Sequence, residues 1–130
     1  MKLVEGKGAV LGRLAVFAAK EALRGEEVVI LNCDQVIITG NKKSIEEEFK
    51  ILRGRTGSAQ KGPKHPATSE KIVKRAIRGM VPNYREGRGR IAFKKIRCFV
   101  GVPKEYEGKK PIAFEKVKKI KFVQVKEFTK

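Results

Sequence analysis

Val28-Val29-Ile30-Leu31 is an unbroken run of four branched aliphatic residues, and no polar residue alternates with them. A strand of that kind is covered on both faces, which places it in a sheet flanked by helices. Upstream, Leu11, Leu14, Ala15, Ala18 and Ala22 recur at helical spacing and Gly25 supplies a stop, so a helix is expected over residues 11–24. Before it, Lys2-Leu3-Val4-Glu5 reads as a short strand ended by the turn Gly6-Lys7-Gly8. The order is strand, helix, strand, with a right-handed crossover expected. Downstream, Val36-Ile37-Ile38-Thr39 is a second apolar run closed by Gly40-Asn41. Its direction stays open, because only Cys33 to Gln35 separate it from the hydrophobic run ending at Asn32.

Ser44-Ile45-Glu46-Glu47 has the form of a capping box, which predicts a helix over residues 42–53. Residues 54–68 are rich in Gly, Pro, Ser and Thr, have no periodicity, and read as a long loop. A helix follows over residues 69–80, capped by Thr68 or Ser69. On its wheel Ile72, Val73, Ala76, Ile77 and Met80 share one side, while Lys71, Lys74, Arg75 and Arg78 fall within an arc of about 100° on the other. A short helix in which Arg90, Lys94 and Arg97 share a face is expected next, then a buried strand from Ile96 to Val100. In the Lys-rich tail, residues 120–125 could form a small strand.

The chain has 130 residues, 41% of them hydrophobic. That length is one ordinary domain, able to bury roughly two-thirds of the surface its unfolded chain exposes, without disulfides or metals. No eighteen-residue apolar run offers a membrane span, and Met1-Lys2-Leu3-Val4-Glu5 goes straight to charge, unlike a signal peptide. Cys33 and Cys98 lie far apart among apolar or small neighbours, which suits buried thiols in a reducing compartment.

The net charge is +17, and it is unevenly placed. Residues 1–50 carry 8 basic and 8 acidic side chains, residues 51–100 carry 14 and 2, and residues 101–130 carry 9 and 4. Between Phe49 and Lys104 the acids are Glu70 and Glu86 alone. Such a concentration of like charge repels itself, and a polyanion relieves it.

The catalytic inventory is thin. One His and two distant Cys do not make a zinc site, and His65, in Lys64-His65-Pro66, has no nucleophile at a telling spacing. No cofactor is expected. The feature that favours an enzyme is Gly6-Lys7-Gly8-Ala9-Val10-Leu11-Gly12, between strand and helix, with Asp34 after the second strand. Dinucleotide folds put glycines and an acid at such places, but the spacing here is one residue longer than the usual fingerprint, and a tight turn accounts for it.

Nucleic acid fits the cations better. Arg53, Arg55, Arg75, Arg78, Arg85, Arg88, Arg90 and Arg97 lie within the positive stretch, and a guanidinium fork can engage two phosphate oxygens at once. No zinc finger, basic zipper or RRM signature is present, so reading of a DNA groove is not supported. Glycine-bearing cationic loops at 54–68 and 84–90 suit irregular folded RNA, contacted through phosphate and 2′-OH, and the first should order only on that RNA. A non-specific DNA-compacting protein is the remaining binding alternative. The candidate contacts are those eight arginines together with Arg13, Lys42, Lys43, Lys61, Lys64, His65, Lys71, Lys74, Met80 and Lys94.

Several landmarks occur in order across residues 3–103. They are Gly12-Arg13-Leu14-Ala15, Val29-Ile30-Leu31-Asn32 with Val36-Ile37-Ile38-Thr39-Gly40-Asn41-Lys42, Arg78-Gly79-Met80-Val81-Pro82, and Gly87-Arg88-Gly89-Arg90 through Phe93-Lys94-Lys95 to Phe99-Val100-Gly101. Together they resemble the universal large-subunit ribosomal protein thirteen family in its archaeal and eukaryotic form. Val81 stands where leucine is commoner, and the short chain looks archaeal because it lacks the long eukaryotic extension. The resemblance implies an α/β fold, a three-layer α/β/α domain with a mainly parallel four-stranded sheet. Residues 1–103 would be the family core and 104–130 a basic C-terminal extension of the same domain. It also implies a cytoplasmic, non-enzymatic constituent of the ribosome that binds large-subunit rRNA early in assembly, beside neighbouring ribosomal proteins, with no membrane or small-molecule substrate. Arg78, Met80, Arg88 and Arg90 would face the RNA.

Overall fold

The computed structural model describes residues 1–55, 57–60, 62, 65–114 and 121–128. Strand β1 (Lys2–Glu5) leads through helix α1 (Leu11–Leu23) to strand β2 (Val28–Leu31). Strand β3 (Ile37–Thr39) and helix α2 (Lys42–Gly54) follow, then helices α3 (Ser69–Arg78) and α4 (Gly87–Lys94), and strands β4 (Ile96–Cys98) and β5 (Phe122–Gln124).

The central sheet has the order β1-β2-β4, all parallel, with Leu3 opposite Val29 and Val29 opposite Arg97. All four residues of β2 are buried, as their unbroken run requires. Val4, Val28, Ile30 and Ile96 point to the side where α1, α3 and α4 pack, against Leu14, Ala18, Ile72, Val73, Ile77 and Ala92. Each Ile or Val shielded this fully stabilises the fold by roughly 1.5–3 kcal/mol. Leu3, Val29 and Leu31 face the other way and are covered by Tyr106, in a short turn at Lys104–Tyr106, with Phe99 beside it.

Two expectations differ from what the described residues show. Their parallel sheet has three strands where four were expected: β1 and β4 occupy both edges of β2, and a parallel neighbour needs a crossover of a dozen or more residues, which Asn32 to Val36 cannot provide. Asn32, at φ 53°, instead turns the chain into a single 3₁₀ turn at Cys33–Gln35. It delivers β3 to a separate antiparallel ribbon with β5, Ile38 opposite Val123. Nor do the described residues show a helical layer on the Leu3–Val29–Leu31 face, where the Tyr106 turn stands in its place. Val36, Val123 and Val125 are fully buried, so the ribbon joins the main core.

The helix ends differ in detail from expectation. Ser44 does not cap α2. Asn41 does, its side-chain oxygen accepting from the Lys43 amide at 3.0 Å, which leaves Ser44 inside the first turn. Thr68 holds the cap position of α3 with extended backbone and without a side-chain bond. Helix α4 stops at Lys94, so Arg97 does not share a face with Arg90 and Lys94. It lies on β4, because that strand starts two residues after the helix to pair with β2.

Cys33 and Cys98, distant in sequence, meet beside Ile30. Cys98 is in register with Ile30, the Cys33 thiol donates to the Ile30 carbonyl at 3.7 Å, and its amide donates to the Phe99 carbonyl at 3.1 Å. Both are free thiols. The hydrogen bond with Cys98, followed by burial, pushes the Cys33 thiol far above its ordinary 9.0. In the native state it therefore stays protonated while the unfolded chain ionises. Its contribution is intact below about pH 9 and declines above it by up to about 1.4 kcal/mol per pH unit. Urea unfolding between pH 8 and 10 should show this decline in the parent and its loss in Cys33→Ala; parallel curves would refute it.

Candidate nucleic-acid interface

Three elements converge on the outer side of the helical layer. Helix α3 buries Ile72, Val73 and Ile77 and so turns Lys71, Lys74, Arg75 and Arg78 outward. The turn after it, Pro82 to Glu86, is fixed by Asn83 at φ 36°, whose side-chain oxygen accepts from the Arg85 amide at 3.4 Å and whose carbonyl accepts from the Glu86 amide at 3.2 Å. Helix α4 then starts against that turn, since Gly89 has no side chain to hold it off: a Cβ there would land on the Pro82 carbonyl, with the Asn83 oxygen at 2.8 Å. Arg88, Arg90 and Lys94 are exposed on this helix.

Aromatic rings sit among these cations. The Lys74 ammonium lies 5.1 Å from the centre of the Phe93 ring and the Arg78 guanidinium 4.6 Å from that of Tyr84. The two rings are 6.3 Å apart. Arg85 Nε donates to the Tyr84 hydroxyl at 3.2 Å, and that bond, helped by the charges of Arg78, Arg85 and Arg75, holds the phenol below its ordinary range, although burial pulls the other way. Lys71, Lys74, Arg75, Arg78, Pro66, Tyr84 and Phe93 enclose a hollow of about 290 Å³.

His65 approaches the same patch. Loss of hydration and then the positive charges of Arg75, Arg55 and Arg78 lower its pKa, so the end of α2, the loop and α3 share one positive field. Arg75, His65 and Pro66 also line an adjoining hollow of about 370 Å³ with Leu11, Phe49, Leu52, Ile72, Ala76 and Gly79. Met80 is exposed at the end of α3.

Ion pairs join Met1 with Glu26, Arg24 with Glu21 and Lys42 with Glu46, within the first fifty residues. Among the described residues, no carboxylate pairs with Lys71, Lys74, Arg75, Arg78, Arg85, Arg88, Arg90, Lys94 or Arg97. The structure thus brings Arg55, His65, Lys71, Lys74, Arg75, Arg78 and Arg85 together around α3. Arg13 lies on α1 with Val16, Phe17 and Lys20, Lys42 and Lys43 open α2, and Arg53 is half-buried in its last turn. Arg97 projects from the opposite face of the sheet, level with Val29. Lys61 and Lys64 fall outside the described residues. Sequence reasoning missed Tyr84 and Phe93, and the signal was there: both aromatics lie within a few residues of arginines and lysines in the acid-poor stretch.

The glycine segment before α1 does not build a phosphate cradle. Gly6 is needed because a Cβ would stand 2.6 Å from the Leu31 carbonyl, and Gly12 lies inside α1 with open space around it.

The profile of the family "Ribosomal protein L13" matches residues 1–105. The chain belongs to the ribosomal protein L13 family. It is 40% identical over 116 residues to the large ribosomal subunit protein uL13 of Methanosphaera stadtmanae, which covers 87% of this chain and 81% of that protein. The uL13 of Archaeoglobus fulgidus is 41% identical over 88% of this chain and 70% of its own length, and that of Methanocaldococcus jannaschii 39% identical over 100% and 96%. Membership makes this L13 chain a structural ribosomal protein and not an enzyme. Arg13, Lys42, and the Arg78–Pro82 and Gly87–Arg90 segments lie within the matched region, whereas β5 lies beyond it.

Proposed function

We propose that this protein is a constituent of the large ribosomal subunit in the cytoplasm that binds and stabilises folded large-subunit rRNA through phosphate contacts, early in assembly and beside neighbouring subunit proteins. The observation that carries this is the cation field of α3, the Pro82–Glu86 turn and α4, whose lysines and arginines outnumber Glu70 and Glu86 and form no ion pair with a carboxylate among the described residues. Membership of a family of large-subunit ribosomal proteins supports rRNA as the polyanion. In this reading residues 104–130 are a basic extension of a single domain. Arg55, His65, Lys71, Lys74, Arg75, Arg78, Met80, Arg85, Arg88, Arg90 and Lys94 form the principal contact surface. Arg13, Lys42, Lys43, Arg53, Arg97, Lys61 and Lys64 reach RNA from other parts of the chain.

The driving force is the release of counterions condensed on the RNA. With about six to ten phosphates contacted, affinity for large-subunit rRNA should fall roughly 10³- to 10⁵-fold between about 50 and 200 mM salt, at a log–log slope of about −0.7 to −0.9 per contact. Filter binding across a salt series measures it, with duplex DNA as competitor. A nearly flat salt response, or duplex DNA competing as well as the rRNA, would overturn the proposal.

A further inference from the structure

We propose that the 290 Å³ hollow between α3 and α4 takes up one unpaired nucleotide of the bound RNA, its base stacked beside Tyr84 and Phe93 and its phosphates held by Lys71 and Arg75. This rests on the RNA-binding reading above and adds a pocket for a base to a surface otherwise described as a clamp on phosphates.

A purely electrostatic clamp needs cations on flexible stems and nothing else. Here the cations are arranged on rings. The Arg78 guanidinium carbon sits over the Tyr84 ring, 4.6 Å from its centre, so a base entering the hollow meets a cation and an aromatic ring together. Phe93, with Lys74 at 5.1 Å, and Pro66 make the apolar walls. The volume lies at the lower end of small-molecule pockets and suits a single base and part of its ribose. The Tyr84 hydroxyl accepts from Arg85 Nε at 3.2 Å, which adds a further cation at the rim of the hollow. A paired base cannot enter, because its faces and edge are already engaged in the helix. A nucleotide from a loop, bulge or strand end can.

The protein has no tryptophan and two tyrosines, Tyr84 and Tyr106, which dominate its intrinsic emission. In Tyr106→Phe only Tyr84 emits. Adding a short oligoadenylate at low salt should quench that emission, while a ribose-phosphate strand of equal length without bases should bind by charge and leave it unchanged. In the otherwise native chain, Phe93→Leu should weaken oligoadenylate binding about 5- to 150-fold, the range for losing one base stack, with the salt slope and the abasic strand's affinity preserved. Strong, salt-dependent binding of both strands with no quenching, or equal losses for both in Phe93→Leu, would refute the nucleotide pocket and leave the RNA reading standing. Failure of large-subunit rRNA and both strands to bind would instead remove the RNA reading itself.

Discussion

Gly89→Ala should destabilise the protein by about 3 kcal/mol or more, read as a lower urea midpoint with the slope unchanged. Helix propensity alone predicts the opposite sign, a gain of about 1 kcal/mol, because Gly89 lies in the first turn of α4. Packing decides against propensity. The added methyl would collide with the Pro82 carbonyl and crowd the Asn83 oxygen, both of them backbone atoms that no rotamer change can move away. Overpacking a rigid site costs roughly 1–3 kcal/mol and occasionally more, and here the clash must separate α4 from the turn that carries Tyr84. Gly12→Ala in α1 is the control: with open space around it, it should be neutral or slightly stabilising. Equal effects at the two glycines would mean that the contact between α4 and Pro82 is not made in solution.

The second large effect is on affinity. Replacing Lys71, Lys74, Arg75 and Arg78 together by glutamine removes four charges from the outer face of α3 and leaves Ile72, Val73 and Ile77 in the core. If each cation meets one phosphate, the salt slope should become shallower by about 3 to 4. Affinity for large-subunit rRNA should fall roughly a thousandfold near 0.1 M salt, and the two binding lines should converge toward about 1 M. Circular dichroism should remain that of the parent. A slope that stays as steep would show that α3 points away from the RNA, and would move the interface to Arg13, Lys42 or Arg97.

Much of this architecture is legible in the chain because burial writes itself into short patterns. The four aliphatic residues of β2, the helical spacing of α1 and α3, and the cationic arc opposite Ile72, Val73 and Ile77 each state which side faces the core. What was not legible depends on partners far away in sequence. Val36 to Thr39 reads as another sheet strand because its residues are apolar, yet its neighbour is Phe122–Gln124, more than eighty residues on, and no local pattern encodes that choice. Ser44 has the form of a cap, yet Asn41 takes that place because β3 releases the chain three residues earlier. Arg97 follows Lys94 at helical spacing, but Ile96 leaves the helix to satisfy the edge of β2. At the site, the charge was legible residue by residue. The hollow was not, because Tyr84 and Phe93 become walls only when the turn at Asn83 brings α4 round so that Phe93 meets Tyr84 and Lys74.

The β3–β5 ribbon bears on the order in which the molecule can be completed. Val123 and Val125 close the interior around Val36, and the Val125 amide donates to the Val36 carbonyl at 2.9 Å. During synthesis the parallel sheet and its helices can assemble first, while Val36 and Ile37 wait uncovered until Phe122 to Val125 have left the exit tunnel. The interior is thereby sealed late, by a strand delivered only after the whole parallel sheet has been made.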